Sequence, residues 1–131
     1  MRADIRREGG ASLDPAVDSG QIEGGYVRGA GWLTTEELVW GGGGRLTTHA
    51  ASTYKIPAVA DRPEIFNVAL WDGENAEETI YRSKAVGEPP FMHGISVFLA
   101  LSDALAQCGP EYPALDAPAT PERLLMTLEG M

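Results

Sequence analysis

The residues of this chain best suited to chemistry lie in the run Lys84-Ala85-Val86-Gly87-Glu88-Pro89-Pro90-Phe91. Glu88 stands between a glycine and two prolines, so its carboxylate is carried on a stiff turn at the entrance to a helix. Two readings are open for it. A carboxylate at a helix N-terminus can cap the free backbone N–H groups there. The same group beside an apolar helix is desolvated, which raises a carboxyl pKa toward the range of a general base, while the helix dipole opposes that rise; the sign of the shift is open. Gln21 offers a similar choice, because its primary amide can bond either a ligand or a neighbouring carbonyl.

Other reactive types are isolated. His49 and His93 have no carboxylate or thiol at ligand spacing and read as surface or packing residues. Ser52 and Ser83 lack a nearby histidine, which argues against a nucleophile triad. The single Cys108 excludes an internal disulfide framework, and with two histidines it makes no Cys/His metal cluster, so no metal ligand is assigned. Gly41 to Gly44 is not a phosphate loop, since Arg45-Leu46-Thr47 does not supply the Lys-Ser/Thr that follows one. The tryptophans Trp32, Trp40 and Trp71 are scattered and read as core or interface anchors.

The elements that must position these residues follow from local signals. Ala3, Ile5 and Arg7 alternate with charged neighbours in a short edge strand ending at Gly9-Gly10. Asp14-Pro15 supplies an N-cap and a proline at N1, with Asp18 in the first turn, so a helix starts there and runs to about Trp32. Five glycines within it each cost up to about 1 kcal/mol relative to alanine. Gly20, Gly24 and Gly31 are spaced so as to leave one face nearly bare, open to close approach by another element or a ligand. Glu37–Trp40 and Arg45–Thr48 flank the four glycines as a β-hairpin. Residues 49–63 form an irregular excursion, Phe66–Trp71 a strand, and the acidic stretch 72–78 a solvated turn. Met92 to Ala106 is apolar on nearly all sides as far as Leu101, the mark of a buried helix. A last helix, capped by Thr120, runs from Pro121 to about Leu128. The fold class expected is α+β, with residues 1–131 forming a single domain.

Nineteen acidic against ten basic residues give a net charge of −9, and no basic cluster is present that would neutralise phosphates, which argues against nucleic acid as a partner. The N-terminus lacks the apolar run of a signal peptide, and no stretch is apolar for long enough to span a membrane; a cytoplasmic location is expected.

Several blocks together carry a resemblance. Leu13 to Gly25, then Trp32-Leu33-Thr34-Thr35-Glu36-Glu37-Leu38, Ser52 to Pro57, Ser83 to Pro90 and Leu115 to Glu122 resemble, in order and spacing, the late part of the molybdopterin-binding subunit of the xanthine dehydrogenase family of molybdenum hydroxylases. The resemblance covers nearly the whole chain, as a C-terminal fragment of an aldehyde oxidase/xanthine dehydrogenase molybdopterin-binding domain. It implies that Glu88 is the catalytic glutamate, a general base on a molybdenum-bound hydroxide. It places Gln21 and Gly87 at positions that contact the molybdenum-molybdopterin cofactor. The implied activity is oxidation of purines such as hypoxanthine and xanthine with water as the oxygen source. The implied partners are the remainder of the molybdopterin subunit and iron–sulfur and FAD domains or subunits; alone, the chain is expected not to hold the cofactor or to turn over. Two alternatives stand beside this reading: part of a related aldehyde or N-heterocycle oxidoreductase, or a truncated, inactive fragment that folds and forms a homo-oligomer. The blocks depart from the family at Ala50-Ala51, where Gly-Pro is usual, at Arg28, where Gln is usual, and at Ser19, where Ile is usual.

Overall fold

In the computed structural model, which describes residues 1–130, the strand β1 (Arg2–Arg7) pairs in parallel with β2 (Ile65–Leu70), and the connection between them carries the long helix α1 (Pro15–Thr34). A parallel pair requires a crossover of this kind. Strand alternation sets the two faces. Ala3, Ile5 and Arg7 stand opposite Phe66, Val68 and Leu70 in register on the inner face, where α1 lays Ile22 and Tyr26 against them. Ile22 is fully buried, and the Tyr26 and Phe66 rings meet at a centroid distance of 5.3 Å. The outer face is polar: the Arg2 guanidinium donates to Asp4, Asn67 Nδ2 donates to Asp4 Oδ1 at 2.7 Å, and Arg6 lies over the Trp71 ring.

α1 begins as its sequence dictates. Asp14 has extended backbone and accepts hydrogen bonds from the N–H groups of Ala16 and Val17, with Pro15 at N1. The helix then crosses α2 (Pro89–Met92), a short helix leading into α3 (Ile95–Ala106). The crossing is close because it is made of glycine. A Cβ on Gly25 would lie 3.0 Å from Pro90 Cβ. One on Gly29 would run into the Phe91 carbonyl oxygen, and one on Gly94 into the backbone of Gly29. Apolar contact at that crossing offsets the low helix propensity of the glycines. The glycine face differs from the expected one: Gly25 and Gly29 make the crossing, Gly31 lies under Pro57, and Gly20 and Gly24 have no atom within 4 Å of a Cβ position.

Two further elements differ from expectation. The reversal at Gly41–Gly44 is reduced to one antiparallel bridge, Trp40 with Leu46, around a 3-10 turn. Gly43 and Gly44 have φ of +73° and +77° there, and Leu38, Val39 and Trp40 remain exposed, so no packed face holds two full strands together. The helix expected from Met92 to Ala106 is divided at His93-Gly94, where hydrogen bonds tighten to a three-residue spacing, as in Gly94 N–H to Phe91 and Val97 N–H to Gly94. Nor is it buried. Within α3 only Ser102 and Leu105 are buried, and Leu99 is 52% exposed. Its apolar residues point around the whole circumference, whereas α1 covers one side.

α4 (Pro121–Glu129) is capped by Thr120, whose hydroxyl accepts from the Arg123 N–H. It is tied to the end of α1 through Ala119 N–H to the Leu33 carbonyl at 2.7 Å and through Arg123 to Glu37. No helix among the described residues is long and apolar enough to cross a membrane.

Candidate functional site

The loop before Glu88 is fixed at its near end by the end of β1. Lys84 N–H donates to the Gly9 carbonyl at 2.8 Å, Ala11 N–H donates to the Arg82 carbonyl at 3.0 Å, and Gly10 bridges to Ser83. Gly10, at φ +66°, brings its Cα against the Arg82 carbonyl, an approach closed to any side chain. The Lys84 ammonium donates to Glu8, whose other oxygen accepts from the Gly10 N–H at 2.8 Å. These bonds, with the Lys84 contribution first, hold the Glu8 carboxyl below its ordinary pKa. Arg7 donates to the Ala85 carbonyl, and Val86 enters the core beside Ile5, Ile22 and Tyr26. At the far end Pro90 is fully buried against Gly25. Gly87, Glu88 and Pro89 are therefore strung between two anchored points.

Glu88 does not cap α2. Its backbone is already helical (φ −77°, ψ −44°), its side chain makes no capping hydrogen bond, and it is exposed. Gln21 stands across from it on α1: a Cβ at Gly87 would lie 2.8 Å from Gln21 Oε1, so the amide rests on the bare Cα of Gly87. Gln21, Gly87 and Glu88, remote in sequence, line one open cleft of about 1000 Å³ together with Gly20, Gly24, Arg28 and Met92. The bare backbone of Gly20 and Gly24 gives the cleft a floor that a flat ligand can approach to van der Waals distance.

The remaining reactive types stay outside it. His49 is exposed and bonded to the Thr47 carbonyl. His93 is partly buried behind α2, and its Nδ1 has no partner. The Ser83 hydroxyl donates to the Ile80 carbonyl, and the Ser52 carbonyl accepts from Lys55. Among the described residues no three of His, Cys, Asp or Glu are grouped to hold a metal ion.

Sequence reading missed a group behind the cleft. Glu36, at the end of α1, has a side chain only 3% exposed. Its Oε2 accepts from the Tyr54 hydroxyl at 2.6 Å, while its Oε1 receives no hydrogen bond and lies 3.9 Å from the Arg28 guanidinium. The bond to Glu36, then burial, raises the Tyr54 phenol above its ordinary pKa. Glu36 and Glu37 look alike in sequence, and only the arrival of Pro57 and Tyr54 over Gly31 decides which is enclosed.

Comparison with known proteins gives the family to which this fold belongs. A family model described as a molybdopterin cofactor-binding domain matches residues 1–63, which include Gln21 but not Glu88. The chain is 45% identical, over 94% of its length, to a xanthine dehydrogenase of Oryza sativa subsp. japonica. It is 43% identical, over 98% of its length, to a nicotinate hydroxylase of Emericella nidulans. It spans 10% and 9% of those two proteins respectively. In structure it superposes on quinoline 2-oxidoreductase from Pseudomonas putida 86 with a TM-score of 0.81 and 25% identity, covering 95% of this chain and 15% of that one. This extent of identity, joined to the same fold and a cofactor-domain match over the glycine-rich helix, places the chain in the xanthine dehydrogenase family of molybdenum hydroxylases, as a segment of the molybdopterin-binding region.

Proposed function

We propose that this chain is one wall of the active site of a molybdenum hydroxylase that oxidises purines such as hypoxanthine and xanthine with water as the oxygen source. In this reading residues 1–131 form a single domain, the C-terminal fragment of the molybdopterin-binding domain, working in the cytoplasm. The rest of that domain and iron–sulfur and FAD partners supply what these residues lack. The observation that carries the reading is the meeting of Gln21, Gly87 and Glu88 on one cleft.

The residues fit the implied cofactor. A large planar group needs a floor without side chains, which Gly20 and Gly24 offer, and a polar group at its rim, which Gln21 offers beside Gly87. When bound, the molybdenum cofactor supplies the two-electron redox chemistry. Glu88 takes the proton: its carboxylate, without an internal hydrogen bond and carried between Gly87 and Pro89, is free to accept one as general base at the cleft. Gln21 orients the cofactor through its carboxamide, and Gly87 keeps the space in which that amide lies.

A related oxidoreductase acting on another N-heterocycle is the second reading, favoured by the likeness to nicotinate hydroxylase and quinoline 2-oxidoreductase. The first test is molybdenum analysis of the protein purified from its native host, with mass determination of whatever co-purifies. Stoichiometric molybdenum and a large partner are expected, and turnover of xanthine against other heterocycles then separates the two substrate classes. A metal-free chain running alone would overturn the proposal in favour of an inactive, self-associating fragment.

A further inference from the structure

We infer that Asn75, outside the cleft, is a positioning residue for Glu88: it holds the strained turn from which the Glu88 loop is strung. The inference rests on the reading of Glu88 as the general base. Within the acidic stretch 72–78 Asn75 alone is buried, and each of its polar atoms has a partner. Its N–H donates to the Arg82 carbonyl at 3.0 Å, an oxygen that also receives the Ala11 N–H at 3.0 Å, so one acceptor joins this stretch to the segment after β1. Its own carbonyl accepts from the Arg82 guanidinium, and its Oδ1 accepts from the Glu77 N–H. Its Nδ2 donates to the Thr79 hydroxyl at 3.2 Å, which in turn donates to the Ser83 carbonyl at 2.7 Å.

What these bonds hold is backbone that would not hold itself. Tyr81 and Arg82 both have left-handed φ, +51° and +55°, a region that residues with a Cβ rarely adopt and that persists only where the surroundings over-determine it. Arg82 and Ser83 lead directly into Lys84, whose N–H is bonded to the Gly9 carbonyl, and so into the Gly87-Glu88 turn. Once released, Tyr81 and Arg82 relax toward negative φ, and the Arg82 and Ser83 carbonyls leave their partners. The direction of the relay matters. The Glu77 N–H can only donate, which turns the Asn75 oxygen to it and the Asn75 amino group to Thr79. The Thr79 hydroxyl proton is thereby left for Ser83. A carboxylate of the same shape would take that proton for itself and leave Ser83 without its donor.

The test uses Asn75→Asp, Thr79→Val and Thr79→Ser, with kinetics in the complete enzyme, alone and beside Glu88→Gln, and amide hydrogen exchange in the full 131-residue chain. Asn75→Asp and Thr79→Val should each lower kcat about tenfold with KM changed by less than about twofold, and Thr79→Ser, which keeps the hydroxyl, should regain most of the loss. Beside Glu88→Gln the same substitutions should lower kcat little further, because changes that act through one group are not additive. Exchange at Lys84 should quicken about tenfold in Asn75→Asp and Thr79→Val while Ile22 and Tyr26 in α1 keep their protection, the signature of a loosened loop in a folded chain. If Asn75→Asp does not fold, the two Thr79 variants decide the matter. Unchanged exchange at Lys84, or a kcat loss as large beside Glu88→Gln as without it, overturns the inference. Near-normal turnover in Glu88→Gln alone would overturn the reading of Glu88 and this inference with it, whereas a loss there with unaffected Asn75 and Thr79 variants overturns the inference alone.

Discussion

Asp14 and Glu88 are both acids ahead of a proline at the start of a helix, yet only one of them is a cap. Asp14 is extended and accepts two backbone N–H groups; Glu88 is helical and its carboxylate accepts none. A cap needs backbone outside the helical region so that the short side chain can turn back on N2 or N3, and the approach from Gly87 does not provide it. Glu88 therefore contributes little to folding and is left free for chemistry. Glu88→Gln is expected to change stability by less than about 0.5 kcal/mol and to lower turnover of the complete enzyme by roughly a hundredfold or more. Melting curves beside steady-state kinetics check this, and near-normal turnover would remove Glu88 from the mechanism. Glu8 behaves in the opposite way. Its folded pKa is depressed by Lys84 and the Gly10 N–H, so its contribution is present above the unfolded pKa and lost as pH falls through the folded one. Stability should decline below about pH 4, and Glu8→Gln should flatten that part of the curve. An acid limb unchanged by the substitution would mean that the Lys84 bond does not fasten the loop.

At the scale of elements, α1 was legible from its cap, its proline and its length, and α4 from Thr120-Pro121. β1 was legible from alternation and β2 as the regular run after the irregular excursion, but their pairing was not, because a two-strand parallel register depends on what the intervening helix covers. The assignment of roles among the glycines also lay beyond the sequence. Spacing put Gly20, Gly24 and Gly31 on one stripe, whereas contact with α2 falls to Gly25 and Gly29, a stripe rotated around the helix. Nothing local distinguishes the two until Pro90, Phe91 and Gly94 arrive. The difference has opposite signs for stability. Gly24→Ala meets open space and should stabilise by up to about 1 kcal/mol. Gly29→Ala meets the Phe91 carbonyl and cannot be relieved without separating the helices, so it should destabilise by about 3 kcal/mol or more. Denaturant unfolding of the two variants decides the matter; equal effects would mean that the α1–α2 crossing is looser than described.

For the molecule as a whole, the site was legible in its members and illegible in its surroundings. Gln21, Gly87 and Glu88 line one cleft with Arg28, and Glu36, which lies within a family block but carries no chemical signal of its own there, is enclosed beside Arg28. The apolar helix after Pro90 shows why the rest was hidden. Periodicity reports what a helix is able to bury, not what is present to bury it, and here Met92, Ile95 and Leu99 follow one another along an exposed side of α2 and α3, with Trp32 stacked on Phe91 beside them. A surface of this kind on a chain that spans about a tenth of its relatives is suited to association. The chain on its own should therefore self-associate as its concentration rises. Leu99→Glu places a charge at the α3 end of that surface and away from the cleft, so it should return the chain to a monomer while its melting temperature stays nearly unchanged. Sedimentation velocity over a range of concentrations measures both forms. A native chain that stays monomeric throughout, or a Leu99→Glu chain that associates as before, would show that these side chains tolerate water and that the surface is not one that another body covers.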